Sequence, residues 1–157
     1  MGYPPAPWRL HGELILVPTL RGGIMLADYQ GGTLTYHELI VFAGLKIVRI
    51  WVDSEESMRG GRAIWKLPKE MAEFTWSRGA VTVRQDGRTL LQARIRRREG
   101  RIPLVLPGPA IGEGGKLSLG RLRMRAAPAL VALEAPDLGL SGARLGLAGD
   151  GMRLFMP

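Results

Sequence analysis

Lys69 is the residue of this chain best suited to covalent chemistry. It stands among apolar neighbours in segment 61–71 of a chain that otherwise relies on arginine, since only four of its 22 basic residues are lysines. A lysine shielded from water can lose its proton near neutral pH and attack a carbonyl carbon to form a Schiff base, which arginine cannot do. The sequence therefore indicates amine catalysis if Lys69 is buried. A surface lysine on a short helix is the alternative.

Glu38 is the candidate carboxylate. It lies in the apolar run 33–42, where strand alternation places Tyr36, Glu38 and Ile40 on one face and His37 on the other. An acidic side chain on this face either points into a pocket or pairs with an arginine. We favour the pocket, and we interpret His37 as a structural histidine.

The composition limits the kinds of protein that this chain can be. Its 157 residues suit a single domain over 1–157, and the absence of cysteine excludes disulfides and thiolate metal sites. His11 and His37 are too few for a histidine-rich metal site, so we expect neither a metal nor another cofactor. No apolar run approaches a membrane span and no signal peptide is visible, so we expect a cytoplasmic protein without a membrane partner.

The net charge of +8 raises the question of nucleic-acid binding. The main basic cluster spans 94–98, with Arg101 just beyond it, and its alternation is typical of the solvated face of a strand. No aromatic residue is interleaved with these arginines, so nucleic-acid bases would find no stacking platform there. The pattern therefore argues against nucleic-acid binding and favours a solvated arginine-rich surface.

Short apolar segments separated by glycine, proline and aspartate predict a mainly β protein. Their number favours a closed or nearly closed antiparallel β-barrel. A hairpin is predicted around Gln85-Asp86-Gly87, because Asp-Gly supplies the positive φ that a tight turn needs. The predicted strands span 13–17, 24–27, 33–42, 47–52, 80–84, 88–97, 103–106, 116–125, 129–133, 143–147 and 152–155, and 107–115 is predicted to be a loop.

One or two short helices are predicted beside these strands. The first spans 53–58, begins with capping and acidic residues, and ends at Gly60-Gly61. The second begins at Pro68, because a proline lacks only an amide proton that the first helical turn does not use. Lys69 would then lie at a helix start, where the helix dipole disfavours a protonated amine.

Three stretches together resemble the acetoacetate decarboxylase superfamily. They are the N-terminal segment 3–12 (YPPAPWRLHG), Tyr36-His37-Glu38 inside an apolar strand, and Gly61-Arg62 followed by Pro68-Lys69. The resemblance covers the first half of the chain in its motifs and the second half in its strand pattern. It implies a single acetoacetate decarboxylase-like barrel domain.

The resemblance also implies roles for individual residues. In that family the matching lysine forms a Schiff base with a ketone, and acetoacetate decarboxylase is a standard example of a lysine activated by its surroundings. Lys69 would be the nucleophile, and Glu38 would relay a proton near the iminium. Arg62 is the candidate for binding a substrate carboxylate, while Tyr36 and Trp65 are candidate pocket-lining residues.

The chain departs from the family pattern in four places, one of which is that a family acidic residue one strand before Tyr36 has no counterpart in 22–26. Glu70 stands where the decarboxylases have a second lysine, Glu13 where they have an arginine, and Ala63 where they have a glutamate. A carboxylate close to Lys69 favours the protonated amine, so the effect of Glu70 depends on the direction of its side chain.

The sequence therefore predicts a lyase that uses a Schiff-base lysine on a small keto acid or related carbonyl compound. Decarboxylation, aldol-type condensation and dehydration all use the same electron sink. The alternative is a barrel that kept the cavity, lost the chemistry, and serves as a binding or structural module. We also expect a homo-oligomer, because another copy of the chain could cover several apolar strands.

Overall fold

The computed structural model describes residues 2–97, 102–111 and 113–157. These residues form eleven β-strands and one α-helix, with short 3₁₀ turns at Glu113–Gly115 and Pro136–Leu138. The elements are β1 Trp8–Pro18, β2 Gly22–Gly32, β3 Tyr36–Ala43, β4 Lys46–Val52, α1 Glu55–Trp65, β5 Lys69–Met71, β6 Glu73–Ser77, β7 Ala80–Gln85, β8 Arg88–Arg97, β9 Ile102–Ile111, β10 Leu117–Ala135 and β11 Leu140–Met156. The prediction of a mainly β protein is confirmed.

The strands belong to one sheet in the order β11-β1-β2-β3-β4-β9-β10-β8-β7-β6, with β5 beside β4. The long strands β10 and β11 also pair with each other. Neighbours are antiparallel except β4 with β5 and β4 with β9. Among the described residues, β4 and β9 pair only at Lys46 and Ile111, so hydrogen bonds do not close the sheet. The closed or nearly closed barrel stays a prediction.

Strand β3 carries apolar contacts on both of its faces. Leu39 belongs to one buried cluster with Leu26 and Trp51, whereas Ile40 packs in another around Trp8 and Trp65. A strand that is covered on both sides carries apolar residues at consecutive positions, which is the pattern of residues 39–42. This arrangement brings alternate residues of β3 to the interior position where the candidate site lies.

Helix α1 is longer than predicted. It begins after Ser54, whose side chain accepts a hydrogen bond from the Ser57 amide, and it runs through Gly60-Gly61 to Trp65. Gly60 faces the Trp8 ring and Gly61 faces the Lys69 side chain at close range, so these glycines lie inside the helix and permit close packing. The stop expected at 60–61 was wrong. The helix ends instead at Lys66, which has a left-handed backbone with φ 57°.

The second predicted helix, beginning at Pro68, was also wrong. Residues Lys69–Met71 form strand β5, which pairs in parallel with β4, and the Ala72 amide donates to Val52 O at 2.9 Å. Pairing with an existing strand satisfies this backbone better than an isolated helical turn does. Lys69 therefore lies on a strand and not at the start of a helix of its own.

The second half of the chain has fewer and longer strands than predicted. The predicted strands 116–125 and 129–133 are parts of the single strand β10, which begins at Leu117, and segments 143–147 and 152–155 belong to β11. Strand β9 continues to Ile111 through the expected loop, because β10 pairs with it over that whole length. The predicted hairpin is confirmed, with φ 50° at Asp86 and φ 77° at Gly87.

Among the described residues, no helix has the length and apolar character that a membrane crossing requires. The basic cluster lies partly outside the described residues, which do not include Arg98 and Arg101. Of its described members, Arg97 pairs with Asp150 at 3.0 Å.

Candidate active site

Lys69 is buried, with 1% of its surface exposed. It lies in β5 opposite Ile50 of β4, and its side chain passes against Gly61 of α1. The neighbouring Glu70 points away and forms an ion pair with Arg49 at 3.2 Å, where both side chains are substantially exposed. Strand alternation thus removes the Glu70 carboxylate from the surroundings of the Lys69 amine.

Four side chains surround the amine. Lys69 Nζ lies 3.0 Å from Glu38 Oε2 and donates a hydrogen bond to Ser57 Oγ at 2.9 Å. It also lies 5.2 Å from the ring centroid of Tyr36 and 5.7 Å from that of Trp8. A carboxylate, a hydroxyl oxygen and two aromatic rings all favour positive charge at this nitrogen.

Glu38 is held from its other side by a tyrosine. Its Oε1 accepts a hydrogen bond from the Tyr29 hydroxyl at 2.9 Å, and only 4% of the residue is exposed. Burial raises the pKa of Tyr29 and of Tyr36 well above the ordinary value of 10.0, and the nearby Glu38 carboxylate raises each further. Both phenols therefore keep their protons, so Tyr29 acts as a fixed donor to Glu38.

The structure brings some predicted site residues together and separates others. Lys69, Glu38 and Tyr36 meet around one nitrogen atom. Arg62 is exposed, and its Nε donates to the backbone oxygen of Lys69 at 2.7 Å, so it touches the backbone of the site. Trp65 packs edge-on against Trp8 at 4.9 Å between ring centroids and donates to Pro157 O at 2.9 Å. Of the three residues expected to line the pocket or bind a substrate, Tyr36 contacts the amine, but Tyr36, Arg62 and Trp65 are all absent from the lining of the cavity described next.

The amine opens onto a cavity of about 350 Å³. Among the described residues, its polar lining side chains are Tyr29, Glu38, Lys69 and Ser118, and the other lining residues are apolar or glycine. None of these described lining residues is an arginine. Across the described ranges, no cluster of three histidine, aspartate or glutamate side chains is arranged to hold a metal ion.

Sequence reasoning missed three residues that contact or cover the pair formed by Lys69 and Glu38, called the reactive pair below. They are Trp8, Tyr29 and Ser57. Ser57 was interpreted only as part of a helix start, although Ser57 and Gly61 are four residues apart and so share one helix face. The contact of Tyr29 with Glu38 depends on the register between β2 and β3, which pairs Tyr29 with Tyr36. Local sequence does not encode that register.

His37 occupies the opposite face of β3. Its Nδ1 lies 2.7 Å from Asp53 Oδ2, and its Nε2 lies 3.2 Å from Asp28 Oδ1. The ring also stacks on Phe74 and Trp76. Hydrogen bonding to Asp53 is the main cause that raises the pKa of His37 above its ordinary 6.5. These contacts satisfy the imidazole and agree with a structural role.

A protein-family model described as acetoacetate decarboxylase (ADC) matches residues 16–107, which is more than half of the chain. The chain belongs to the acetoacetate decarboxylase family. The matched segment includes β3, α1 and β5, the elements that carry Glu38, Ser57 and Lys69.

Two solved structures have a similar fold. The crystal structure of acetoacetate decarboxylase from Legionella pneumophila subsp. pneumophila str. Philadelphia 1 aligns with a TM-score of 0.67 and 12% identity, covering 100% of this chain and 87% of that one. A structure described as "Structural Studies of Acetoacetate Decarboxylase" aligns with a TM-score of 0.56 and 12% identity, covering 99% and 88%. A search of curated proteins finds no matching sequence.

Gly61 gives a test of how tightly the helix packs on the lysine. A Cβ at Gly61 would lie 2.6 Å from both Cδ and Cε of Lys69. Gly61→Ala is expected to lower the free energy of unfolding by about 1–2 kcal/mol, because overpacking outweighs the helix propensity that alanine adds. Urea denaturation followed by circular dichroism measures the change.

The matched control is Ala63→Gly, an exposed position of the same helix. It is expected to cost about 1 kcal/mol from propensity alone. Destabilisation by both substitutions supports the close approach of Gly61 to Lys69. A stabilised Gly61→Ala protein would contradict it.

The raised pKa of His37 predicts a dependence of stability on pH. Because the folded protein holds the proton more tightly, the contribution is complete below about pH 6.5, the unfolded value, and is lost as pH rises through the folded pKa. The stability difference between wild type and His37→Gln should therefore be larger at pH 5.5 than at pH 8.5. Urea titrations at both pH values measure it, with the exposed His11→Gln as control. A difference that does not change with pH would contradict the interpretation.

Proposed function

We propose that this protein is an acetoacetate decarboxylase-like enzyme that forms a Schiff base between Lys69 and a keto acid or related carbonyl compound. The observation that carries the proposal is the Lys69 amine, buried and 3.0 Å from Glu38 Oε2, at the wall of an apolar cavity. Membership of the family supports the same reaction class.

The charge balance of the site suits Schiff-base formation. An ammonium group and a ketone combine to give a protonated iminium and water, so the nitrogen is cationic before and after the reaction. Glu38, Tyr36 and Trp8 favour a cation at that nitrogen in both states. The same groups therefore stabilise the ammonium and the iminium. The buried site does not have to reorganise its charges during the reaction, which would be costly away from water.

Glu38 supplies the proton movements. Its Oε2 accepts a proton from the Lys69 ammonium, which frees the nitrogen lone pair for attack on the carbonyl carbon. The attack gives an alkoxide, which takes a proton from the attacking nitrogen to form the carbinolamine. The proton held by Glu38 then passes to the carbinolamine hydroxyl, which leaves as water and produces the iminium. The Tyr29 hydroxyl, fixed on Oε1, keeps Oε2 directed toward the nitrogen.

Decarboxylation is the reaction that this cavity favours. A substrate carboxylate that enters an apolar cavity loses its hydration, and none of the described lining residues is an arginine that could compensate for that loss. Release of CO₂ removes the charge, and the bonding electrons move to the iminium nitrogen to give a neutral enamine. Protonation of the enamine carbon and attack of water then release the ketone and restore Lys69.

We propose a positioning role for Arg62, in place of the carboxylate-binding role expected from the resemblance. Its Nε is engaged with the Lys69 carbonyl oxygen, on the outer side of the strand. This bond and the Leu67 amide bond to Gly61 O at 3.0 Å tie the start of β5 to helix α1. Both contacts fix the backbone from which the reactive side chain extends.

Trapping with borohydride tests the proposal. Wild-type protein is incubated with acetoacetate or acetone and sodium borohydride, and the modified residue is located by peptide mass spectrometry. We expect a reduced adduct on Lys69. The lysines at 46, 66 and 116 are exposed and serve as internal controls for non-specific reductive alkylation. Absence of an adduct on Lys69, or labelling equal to that of the exposed lysines, would contradict the proposal.

Two variants distinguish the nucleophilic role proposed for Lys69 from the proton-relay role proposed for Glu38. Lys69→Met should give no adduct, and Glu38→Gln should slow adduct formation by about a hundredfold or more, in the range of a lost general acid–base group. Glu70→Gln is the matched control, because this carboxylate points outward and should leave the rate unchanged. Unchanged ligand binding without any adduct in wild type would instead support the binding-module alternative. A cytoplasmic location and a homo-oligomer stay predictions.

A further inference from the structure

We infer that the substrate of this site carries an apolar chain well beyond the size of a four-carbon keto acid, with its carbonyl at Lys69 and its chain extended toward the β3–β4 turn. The inference rests on the proposed function for the carbonyl end. The shape and lining of the cavity carry the rest.

The cavity is deepest at the reactive pair and shallowest at the β3–β4 turn. Alternate residues of β3 line it, and their exposure increases from Glu38 at 4% and Ile40 at 6% to the half-buried Phe42. Gly44, in the turn that follows, is exposed and also lines the cavity. Four residues of strand from Glu38 to Phe42 correspond to a length of about 13 Å.

Among the described residues, the lining beyond Lys69 and Glu38 is apolar except for Tyr29 and Ser118. It is contributed by strands β1, β2, β4, β9, β10 and β11 together with β3. The apolar side chains of this lining include those of Leu14, Met25, Ile40, Phe42, Leu45 and Leu106. Ser118 is the polar side chain of this outer region. Such a lining offers little to a polar substrate and favours a hydrocarbon chain.

The size of the cavity exceeds the need of a small keto acid. An apolar cavity of about 150 Å³ is enough to bind benzene, whereas this one measures about 350 Å³. A four-carbon substrate bound at Lys69 would leave most of the apolar wall without a contact. The opening beside Leu45, which is 60% exposed, allows a longer chain to extend toward solvent.

Medium-chain 3-keto acids, and the methyl ketones that they yield on loss of CO₂, fit this description. The carbonyl reaches the Lys69 nitrogen, and the alkyl chain covers the wall formed by Ile40, Phe42 and Leu106. Each methylene that enters the cavity should strengthen binding by about fourfold.

The experiment uses a homologous series of methyl ketones with the full chain. Acetone, 2-pentanone, 2-heptanone and 2-nonanone are each titrated in the borohydride reaction, and the half-saturating concentration for the Lys69 adduct is measured. We expect this concentration to fall by about fourfold per methylene until the cavity is full. Equal half-saturation for acetone and 2-nonanone would overturn the inference and leave the Schiff-base proposal intact.

A second readout applies if no ketone forms an adduct, which would remove the Schiff-base proposal. A ligand that binds the folded state raises the melting temperature whether or not it reacts. 2-Nonanone should then raise the melting temperature of wild type and of Lys69→Met at concentrations where acetone has no effect. No difference between the two ketones would overturn the inference.

Two tryptophan variants on β9 locate the chain. Leu106→Trp adds bulk to the cavity wall and should reduce the ratio of 2-nonanone to acetone affinity at least tenfold, by displacing about two methylenes. Val105→Trp is the matched control, because Val105 directly precedes Leu106 in β9, is 59% exposed and does not line the cavity. An equal ratio in both variants would contradict the proposed path of the chain.

Discussion

The contact between Lys69 and Glu38 is the interaction on which the rest of the site depends. An ammonium group and a carboxylate that are both buried must be paired and hydrogen-bonded, because either charge alone would be strongly destabilising there. The pair meets this condition, with Ser57 on the nitrogen and Tyr29 on the carboxylate. Each partner comes from a different element, so the pair also fixes how β2, β3, β5 and α1 come together.

Close packing around the pair explains several features that look unrelated in the sequence. Gly61 gives room for the Lys69 side chain, and Gly60 gives room for the Trp8 ring, from which an added Cβ would be only 2.5 Å. Trp8 in turn covers the amine and packs against Trp65, which holds the backbone oxygen of Pro157. The two ends of the described chain thus meet next to the site and shield it from water.

The departures from the decarboxylase pattern have a structural explanation at one position. Glu70 pairs with Arg49 on the outer side of β5, so its carboxylate does not compete for Lys69. The amine is instead surrounded by one carboxylate, one hydroxyl and two aromatic rings. These groups stabilise a positive charge on the Lys69 nitrogen, in the iminium as well as in the ammonium.

Residue types and alternation predicted the strand content and selected Lys69 and Glu38, because a rare lysine and an acid inside an apolar run are visible in the sequence. The helix expected at Pro68 failed because pairing of β5 with β4 overrode a local signal. The stop expected at Gly60-Gly61 failed because these glycines serve close packing and not chain reversal. Tyr29 and Ser57 could not be predicted, since strand register and helix placement bring them to the pair.

The most direct measurement of the central claim is a double-mutant cycle on the free energy of unfolding with Lys69→Met and Glu38→Gln. Each single variant leaves one buried charge without its partner and should cost about 3–5 kcal/mol. The double variant leaves no charge, so its cost should fall below the sum of the two by more than about 2 kcal/mol. Additive costs, within about 0.5 kcal/mol, would contradict a buried pair at the centre of this protein.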